Sequence, residues 1–238
     1  MRAIILAAGA GTRLSPLTNG CPKCLVRVGE RPLIDYQIEA LRAVGVSEFV
    51  VVVGYEADQV RAHCGPQTLY IDNPDFPTTN SIYSLYLARE EMNCDLFLFN
   101  CDVLFDGAVL QRMLDGGRPN VVAVDSAAPL VSGEMNVVFD AEGRVDEISK
   151  QVPPDRANAM SIQLVKFDAT GARVVAAAVE ELIAEGRKEV FPTTAYAPLI
   201  AAGSLFAAEG GDLPWAEIDS LEDYDHAVTH VLPRLRRG

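Results

Sequence analysis

Residues 6–14, LAAGAGTRL, decide how this chain folds at its amino end, because they continue an apolar run that begins at Ala3. A glycine-rich turn directly after a strand lets backbone N–H groups approach an anion closely. Arg13 in the turn and Lys23, nine residues beyond the stretch, add positive charge beside those groups. The pattern predicts a strand followed by a turn that binds a polyphosphate.

Two better-known glycine motifs are excluded. A dinucleotide-binding G-x-G-x-x-G turn needs a third glycine, but Leu14 stands at that position after Gly9 and Gly11. A P-loop needs G-K followed by serine or threonine, and the sequence has no such tripeptide. Two glycines alone also fit an ordinary turn between a strand and a helix, so the turn by itself does not identify a nucleotide site.

Apolar runs of strand length alternate with helical patterns along much of the chain. The strand-like runs are 3–7, 49–53, 69–71, 96–99 and 121–124, and the helical patterns are 33–44, 81–92, 108–114, 170–185 and 221–232. This alternation predicts an α/β fold with a mostly parallel sheet flanked by helices. Residues 134–139, 144–149 and 160–167 instead indicate antiparallel strands, with a hairpin turn at 140–143, and we expect them to form a small lid region.

The composition fits one domain. The chain has 238 residues, of which 49% are hydrophobic and 22% charged, so it is long enough to bury a full core. We predict a single domain over 1–238, with a nucleotide-binding core mainly in 1–125 and an acceptor and lid region mainly in 126–219. The basic segment 234–238 is expected to be a frayed end.

The net charge of −13 argues against nucleic acid and anionic membrane surfaces as partners, because the summed field repels both. Residues 1–31 depart from this balance, since they carry five basic side chains and one acid. No apolar run approaches the length of about 18 residues that indicates a membrane span, and no signal-peptide pattern follows the start. We therefore expect a cytoplasmic protein.

Cysteine usage does not indicate a disulfide framework or a zinc site. The five cysteines are an odd number in a chain that is large enough to fold without disulfides. Cys21 and Cys24 form one C-x-x-C pair, but no second pair completes a set of four ligands. We expect structural or incidental thiols.

Three motifs, LAAGxGTRL at 6–14, PKxL at 22–25 and PLI at 32–34, resemble in order and spacing the nucleotidyltransferase superfamily that activates sugar phosphates and small phospho-alcohols. The resemblance implies a Rossmann-like nucleotidyltransferase sheet. It also implies that Lys23 and Arg13 are catalytic cations, with Lys23 at the α-phosphate and Arg13 at the β- and γ-phosphates. The nucleotide-binding residues that it implies in the first loop are Ala7, Ala8, Gly9, Gly11, Thr12 and Arg13.

Two aspartates stand where strand-like segments end. Asp102 follows residues 95–100, DLFLFN, at the place where open α/β sheets bind ligands, and Asp219 precedes a helical pattern. Each has a plainer interpretation, as a turn residue for Asp102 and a helix N-cap for Asp219. Nucleotidyl transfer develops negative charge that carboxylate-bound Mg²⁺ commonly stabilises. Residues 217–224, EIDSLEDY, resemble the family's second metal-binding segment, so the resemblance implies that both aspartates hold Mg²⁺.

The segment 73–85, NPDFPTTNSIYSL, points to one branch of the superfamily. Together with Glu134 and the segment 217–219, it is similar to the phosphocholine, aminoethylphosphonate and related phosphonate cytidylyltransferases. The similarity implies that CTP is the nucleotide and that Asn80 and Ser81 lie near its base. Asn80 fits equally well as the N-cap of the following helix, and both interpretations stay open at this point.

The acceptor side is less sharply marked. The resemblance implies that Lys150 contacts the acceptor phosphate, but Ser149 stands where sugar-phosphate members commonly carry a glutamate, which disfavours a hexose. The stretch 125–133 has no aromatic residue to form the cage that a trimethylammonium group prefers, which favours a compact phosphonate over phosphocholine. The remaining candidates for the acceptor wall are Glu134, Tyr196 and Glu217.

The resemblance therefore implies a Mg²⁺-dependent cytidylyltransferase that transfers CMP from CTP and releases pyrophosphate. The expected acceptor is a small phosphonate or phospho-alcohol, such as 2-aminoethylphosphonate, 2-hydroxyethylphosphonate or a phosphocholine-like compound. One alternative is a sugar-1-phosphate or inositol-phosphate nucleotidyltransferase, which shares the nucleotide site, and another is a non-catalytic nucleotide-binding regulator. Formation of a homodimer stays open.

Overall fold

The computed structural model describes residues 1–235, so residues 236–238 of the predicted basic end lie outside the described part of the chain. The strands are β1 (Arg2–Ala7), β2 (Arg27–Val28), β3 (Arg31–Pro32), β4 (Glu48–Val53), β5 (Leu69–Asp72), β6 (Leu96–Asn100), β7 (Val103–Phe105), β8 (Asn120–Asp125), β9 (Asn136–Phe139), β10 (Val145–Ser149), β11 (Ala159–Phe167), β12 (Leu205–Glu209) and β13 (Trp215–Glu217). The helices are α1 (Leu33–Ala43), α2 (Ala57–Cys64), α3 (Ser81–Leu87), α4 (Ala108–Asp115), α5 (Ala169–Ala184), α6 (Ala197–Ala201) and α7 (Leu221–His226).

Nine strands form one central sheet. The strands β5, β4, β1 and β6 run parallel side by side, with β1 between β4 and β6. Next to them β11 pairs antiparallel with β6 and carries the sheet on to β8 and β9, while β12 lies parallel beside β8. Two small antiparallel sheets, β2–β3 and β7–β13, accompany the central one. This mostly parallel sheet with flanking helices confirms the predicted fold class.

Strands β1, β4 and β6 in the middle of the sheet are buried on both faces, which explains why each of their sequences is a continuous apolar run. In β1, Ile4 and Leu6 contact the core that α3 and α5 cover. The alternate residues Ala3, Ile5 and Ala7 contact the opposite core, which α1 and α4 cover. The five strand-like runs predicted from the sequence all correspond to strands of this sheet.

The antiparallel strands predicted at 134–139, 144–149 and 160–167 exist, but they do not form a separate lid. They are β9, β10 and β11, and all three belong to the central sheet. The physical reason is burial, because Leu164 and Phe167 of β11 pack into the cores on opposite faces and so require layers on both sides. The division of the chain into a nucleotide core and an acceptor region stays a prediction.

Two predicted helices are shorter than the patterns indicated. The helix expected at 81–92 is α3 followed by a 3₁₀ turn at Arg89–Glu91. The helix expected at 221–232 ends as α7 at His226 and passes into a π turn at Ala227–Val231. Pro233, which has no N–H for an α-helical hydrogen bond, follows in a 3₁₀ turn.

A third, smaller core joins the carboxyl-terminal part of the chain to its start. It contains Leu14 from the end of the glycine-rich stretch, Ile218 directly after β13 and Val231 from beyond α7. Since β13 pairs with β7, the Ile218 N–H donates to the Asp102 carbonyl oxygen at 2.8 Å. This packing brings Asp219, which follows Ile218, to the edge of the sheet where the glycine-rich turn lies.

The five cysteines are free thiols, as expected from their odd number and the size of the chain. Within residues 1–235, no helix has both the length and the apolar character needed to cross a membrane.

Candidate active site

The glycine-rich turn leaves the end of β1 and lies against the end of β4. Gly11 has a φ of +61°, and a Cβ there would lie 3.0 Å from the Lys23 side chain. Gly54, which follows β4, has no room for a Cβ either, because that atom would lie 2.6 Å from the Ala8 carbonyl oxygen. The same Ala8 oxygen accepts a hydrogen bond from the Tyr55 N–H at 3.0 Å. The turn is therefore held in place by glycines at its close contacts.

Three carboxylates gather beside this turn. Asp102 follows β6, Glu217 ends β13 and Asp219 lies two residues later, and one oxygen of each lies within 4.8 Å of the others. The sequence placed Glu217 on the acceptor wall, whereas the structure places it in one cluster with the two aspartates. The pairing of β13 with β7 produces this cluster, and that pairing has no signal in the local sequence.

The plainer interpretation of Asp219 as a helix N-cap is wrong. Ser220 is the N-cap of α7, and it forms a capping box with Asp223. The side chain of Asp219 is thus not used by the helix and turns to the cluster, where it meets Lys23 and Arg13. Asp102 does lie in a turn, between β6 and β7, and its carboxylate also faces Lys23.

Lys23 is the cation at the centre of the cluster. Its Nζ donates to Asp102 Oδ2 at 2.8 Å and also to Asp219 Oδ1, and the residue is only 8% exposed. Burial by itself lowers the pKa of Lys23, but the carboxylates of Asp102 and Asp219 raise it, and the net shift is upward. Lys23 therefore stays charged throughout the neutral range.

The carboxylates titrate differently from one another. Burial raises the pKa of Glu217 to about 8, and repulsion from Asp102 and Asp219 adds to the shift. Burial also disfavours the charged form of Asp219, but Lys23 and Arg13 outweigh it and lower the pKa of that carboxyl. Without a further cation, the cluster thus holds a proton on Glu217 near neutral pH.

The residues of the cluster fit a hard divalent cation. Asp102 Oδ1 is buried without a hydrogen-bond partner, an arrangement that costs free energy unless something neutralises the oxygen. The donors are carboxylate oxygens, which are the ligands that Mg²⁺ prefers. The predicted pair Asp102 and Asp219, joined by Glu217, is therefore the candidate metal site.

The cluster and the turn open into one pocket of about 480 Å³. Besides Lys23 and the three carboxylates, the predicted site residues that line it are Ala8, Gly9, Gly11, Thr12, Arg13, Asn80, Ser81 and Lys150. Ala7 does not line it, because the residue is 2% exposed in the core at the end of β1. Glu134 is also outside the lining, but its carboxylate lies 3.9 Å from Lys150 Nζ.

Asn80 has the helix-capping role that was one of its two interpretations. It is the N-cap of α3, and its Oδ1 accepts from the Ser81 N–H at 2.7 Å. Its Nδ2 donates to the Glu189 carbonyl oxygen at 3.1 Å, and the residue also lines the pocket. Contact of Asn80 and Ser81 with a nucleotide base stays a prediction.

Tyr196 is not part of the pocket wall, which corrects the sequence-based assignment. It is 2% exposed, and its ring packs edge-to-face on Phe167 with centroids 5.3 Å apart. Burial raises the pKa of its hydroxyl. The 3₁₀ turn Pro192–Tyr196 directs the ring into the core, so it borders only a small inner cavity behind the pocket.

Sequence reasoning did not single out Gln163 and Phe191, which belong to the pocket lining. Phe191 is 38% exposed, and Lys150 Nζ lies 5.4 Å from the centre of its ring. Gln163 lies inside β11 in a backbone conformation with a φ of +64°. Neither has a sequence signal, since phenylalanine is ordinarily a core residue and glutamine has no preference for that conformation.

The comparisons with known proteins agree with this geometry. The sequence model of the MobA-like NTP transferase domain family matches residues 3–208. The chain is 34% identical over 248 residues to the CMP-5'-(3-aminopropyl)phosphonate synthase of Streptomyces rubellomurinus, a match that covers 98% of this chain and 39% of that protein. The chain thus spans well under half the length of that relative.

Two further similarities extend over nearly full lengths. The chain is 29% identical over 248 residues to the CTP:phosphoglutamine cytidylyltransferase of Campylobacter jejuni, covering 94% of this chain and 98% of that protein. The solved structure of the CTP:phosphocholine cytidylyltransferase from Streptococcus pneumoniae is similar with a TM-score of 0.76 and 25% identity, covering 95% of this chain and 97% of that one.

Proposed function

Since this chain belongs to the MobA-like NTP transferase domain family and is a nucleotidyltransferase, we propose that it transfers CMP from CTP to a small phosphonate or phospho-alcohol and releases pyrophosphate. The observation that carries the proposal is the pocket in which the glycine-rich turn, Lys23 and three carboxylates meet. A non-catalytic regulator has no need for this full set of charged groups. The CMP-5'-(3-aminopropyl)phosphonate synthase is much longer than this chain, so its full activity is only proposed for this chain.

CTP and a small acceptor are supported by the relatives that the chain resembles. By their names, one relative synthesises CMP-5'-(3-aminopropyl)phosphonate and another is a cytidylyltransferase for CTP and phosphoglutamine. The structural relative is named for CTP and phosphocholine. Ser149, at the place where a hexose-specific member commonly carries a glutamate, adds support from this chain itself.

In the proposed reaction, an oxygen of the acceptor attacks the α-phosphorus of CTP. A new P–O–P bond forms, and the bond between the α-phosphorus and the bridging oxygen of pyrophosphate breaks. The acceptor needs no general base, because a phosphate ester is already largely anionic near neutral pH, with a second pKa of about 6. The work of this chain is therefore to align the two anions and to neutralise their charge.

The charged residues have distinct roles in this alignment and charge neutralisation. Backbone N–H groups of the glycine-rich turn and the Arg13 guanidinium hold the β- and γ-phosphates, while Lys23, charged and buried, faces the α-phosphate and the incoming acceptor. Asp102 and Asp219 position Lys23 by accepting its hydrogen bonds. Together with Glu217 they would hold Mg²⁺, which when bound stabilises negative charge on the phosphoryl oxygens.

A panel of substrates tests the proposal, with pyrophosphate release as the measurement. CTP is expected to exceed UTP, dTTP, ATP and GTP in kcat/KM. Among acceptors, 2-aminoethylphosphonate or 2-hydroxyethylphosphonate is expected to exceed phosphocholine about tenfold, because a trimethylammonium group would lack the cation–π stabilisation of a cage. The Phe191 ring of the pocket lining already packs against Lys150 Nζ, so it is not free to form such a cage.

Two outcomes of this panel contradict different parts of the proposal. Glucose 1-phosphate as the best acceptor would place the chain among the sugar-phosphate enzymes and overturn the acceptor class. Phosphocholine as the best acceptor would overturn only the preference for a compact phosphonate.

Arg13 is expected to act in binding rather than in the chemical step. Its side chain is 72% exposed, and its guanidinium lies 2.9 Å from Asp219 Oδ2. We expect Arg13→Ala to raise the KM for CTP about tenfold with little change in kcat, because a charge-assisted hydrogen bond is worth about 1.5–3 kcal/mol. Arg13→Lys keeps the charge and is the matched control. A fall in kcat at unchanged KM would assign Arg13 to the transition state instead.

A further inference from the structure

Gln163 occupies an irregular position in β11. Ser161 pairs with Val124 and Val165 pairs with Val122, so β11 has two more residues than β8 between these two pairs. Within this bulge Gln163 has a φ of +64°. Glutamine pays a conformational cost in that region, whereas glycine does not. Among the non-glycine residues of 1–235, only Glu56 and Gln163 have a positive φ.

The bulge is supported by defined hydrogen bonds. The Gln163 N–H donates to Ser161 Oγ at 3.0 Å, and the Ser161 N–H donates to the Met135 carbonyl oxygen at 2.8 Å. Ser161 is 3% exposed, so this support is buried. A costly backbone conformation that the surroundings maintain in this way is characteristic of functional sites.

Gln163 lines both the large pocket and a small inner cavity, whose volume is about 30 Å³. A cavity of that size admits one small terminal group. The residues that line both spaces are Leu6, Asn100, Met135, Gln163 and Phe191. Three of them are apolar and two are amides.

The lining that the two spaces share differs in chemistry from the rest of the pocket. The charged side chains that line the large pocket are Arg13, Lys23, Asp102, Lys150, Glu217 and Asp219, and none of these borders the inner cavity. An amide both donates and accepts hydrogen bonds. A group that enters the cavity therefore meets apolar walls and uncharged hydrogen-bonding partners.

We propose that Gln163, which lines both spaces, selects the acceptor by forming a hydrogen bond with its terminal ammonium or hydroxyl group, an inference that rests on the proposed function. The phosphonate end remains with the charged groups of the large pocket. A terminal methyl group leaves the Gln163 amide without a partner, which disfavours an apolar acceptor of the same size.

The test compares 2-aminoethylphosphonate and 2-hydroxyethylphosphonate with propylphosphonate, in which a methyl group replaces the terminal amine. The wild-type protein is expected to prefer the first two in kcat/KM by at least about tenfold, the size of one buried hydrogen bond. Gln163→Gly is expected to reduce this preference to within about threefold and to leave the KM for CTP unchanged. A purely structural role would not move the preference.

Control variants separate the effect on acceptor preference from any gain that comes from removing backbone strain at residue 163. Glycine adopts a φ of +64° without strain, so we expect the Tm of Gln163→Gly to stay within about 4 °C of the wild type. Glu56→Gly makes the same kind of change at an exposed position with a φ of 49° outside the pocket lining, and should leave the preference intact. Gln163→Asn, which tolerates the conformation but is shorter, should give an intermediate preference and covers the case in which the glycine variant does not fold.

The inference is overturned if both variants of Gln163 keep the wild-type preference. Failure of the proposed function has a different signature, because the wild-type protein then uses no phosphonate or phospho-alcohol with CTP. Glucose 1-phosphate and inositol phosphate are therefore included, each beside a deoxy analogue. A preference for the hydroxylated compound that Gln163→Gly does not reduce also overturns the inference.

Discussion

Replacing Asp102 or Asp219 with asparagine is expected to lower kcat by about 10³-fold or more, because a bound metal supplies several kcal/mol of transition-state stabilisation. Asparagine keeps the shape of the side chain and removes its charge. In either variant Lys23 keeps the other aspartate as its ion-pair partner, and Asp219 is not the cap of α7. Both variants should therefore fold, and the loss should be in turnover.

Asp106→Asn is the matched control for these variants. Asp106 is 3% exposed and accepts a hydrogen bond from the Ala108 N–H at 2.9 Å, outside the pocket lining. Its replacement should leave kcat unchanged. The measurements are kcat over a Mg²⁺ titration and direct binding of Mn²⁺ by electron paramagnetic resonance. Rates equal to the wild type in either Asp102 or Asp219 variant would show that these carboxylates hold no catalytic metal.

The central part of the fold was predictable because its signals are local. The strands β1, β4, β6 and β8 of the central sheet are largely buried, so each appears in the sequence as an apolar run between turn residues. The location of β9, β10 and β11 was not predictable in the same way. Their alternation identifies strands, but whether β11 pairs with β6 depends on residues far apart in the sequence.

The residues of the candidate site also differ in whether their positions can be predicted from local sequence. Lys23 and Asp102 have recognisable local surroundings, a Pro-Lys motif and the end of an apolar strand, and the structure brings them together. Glu217 lies beside them because β13 pairs with β7. Tyr196 does not, because the short turn Pro192–Tyr196 directs its ring into the core. Gln163 owes its position to a bulge, which depends on the partner strand rather than on the residue itself.

The ambiguity at Asp219 shows why a capping motif must be assigned to one residue before function is inferred from its neighbour. Asp219 and Ser220 are both good N-cap residues, and only one of them can begin the helix. Ser220 forms the capping box with Asp223, so Asp219 stays available to Lys23. Asp219, next to the cap residue Ser220, is therefore the acidic residue that indicates the metal site.

Lys23→Met is expected to lower kcat by about 10²-fold or more, with a much smaller change in the KM for CTP, because it removes a preorganised charge that faces the reacting phosphate. Methionine preserves most of the buried volume. The same change leaves Asp102 and Asp219 without their cation, and removing one partner of a buried ion pair costs about 3–5 kcal/mol. The free energy of unfolding should therefore fall by about 3 kcal/mol without metal, and Mg²⁺ should restore part of it.

Lys166→Met provides the matched control, because Lys166 is also 8% exposed and its Nζ donates to the carbonyl oxygens of Arg118 and Pro119 at 2.8 and 3.2 Å. It lies outside the pocket lining, so its replacement should lower stability and leave kcat unchanged. Chemical denaturation with and without Mg²⁺ and steady-state kinetics measure both effects. If Lys23→Met changed only the KM for CTP, Lys23 would bind the ground state and the transition state equally, and its assignment as a catalytic cation would be wrong.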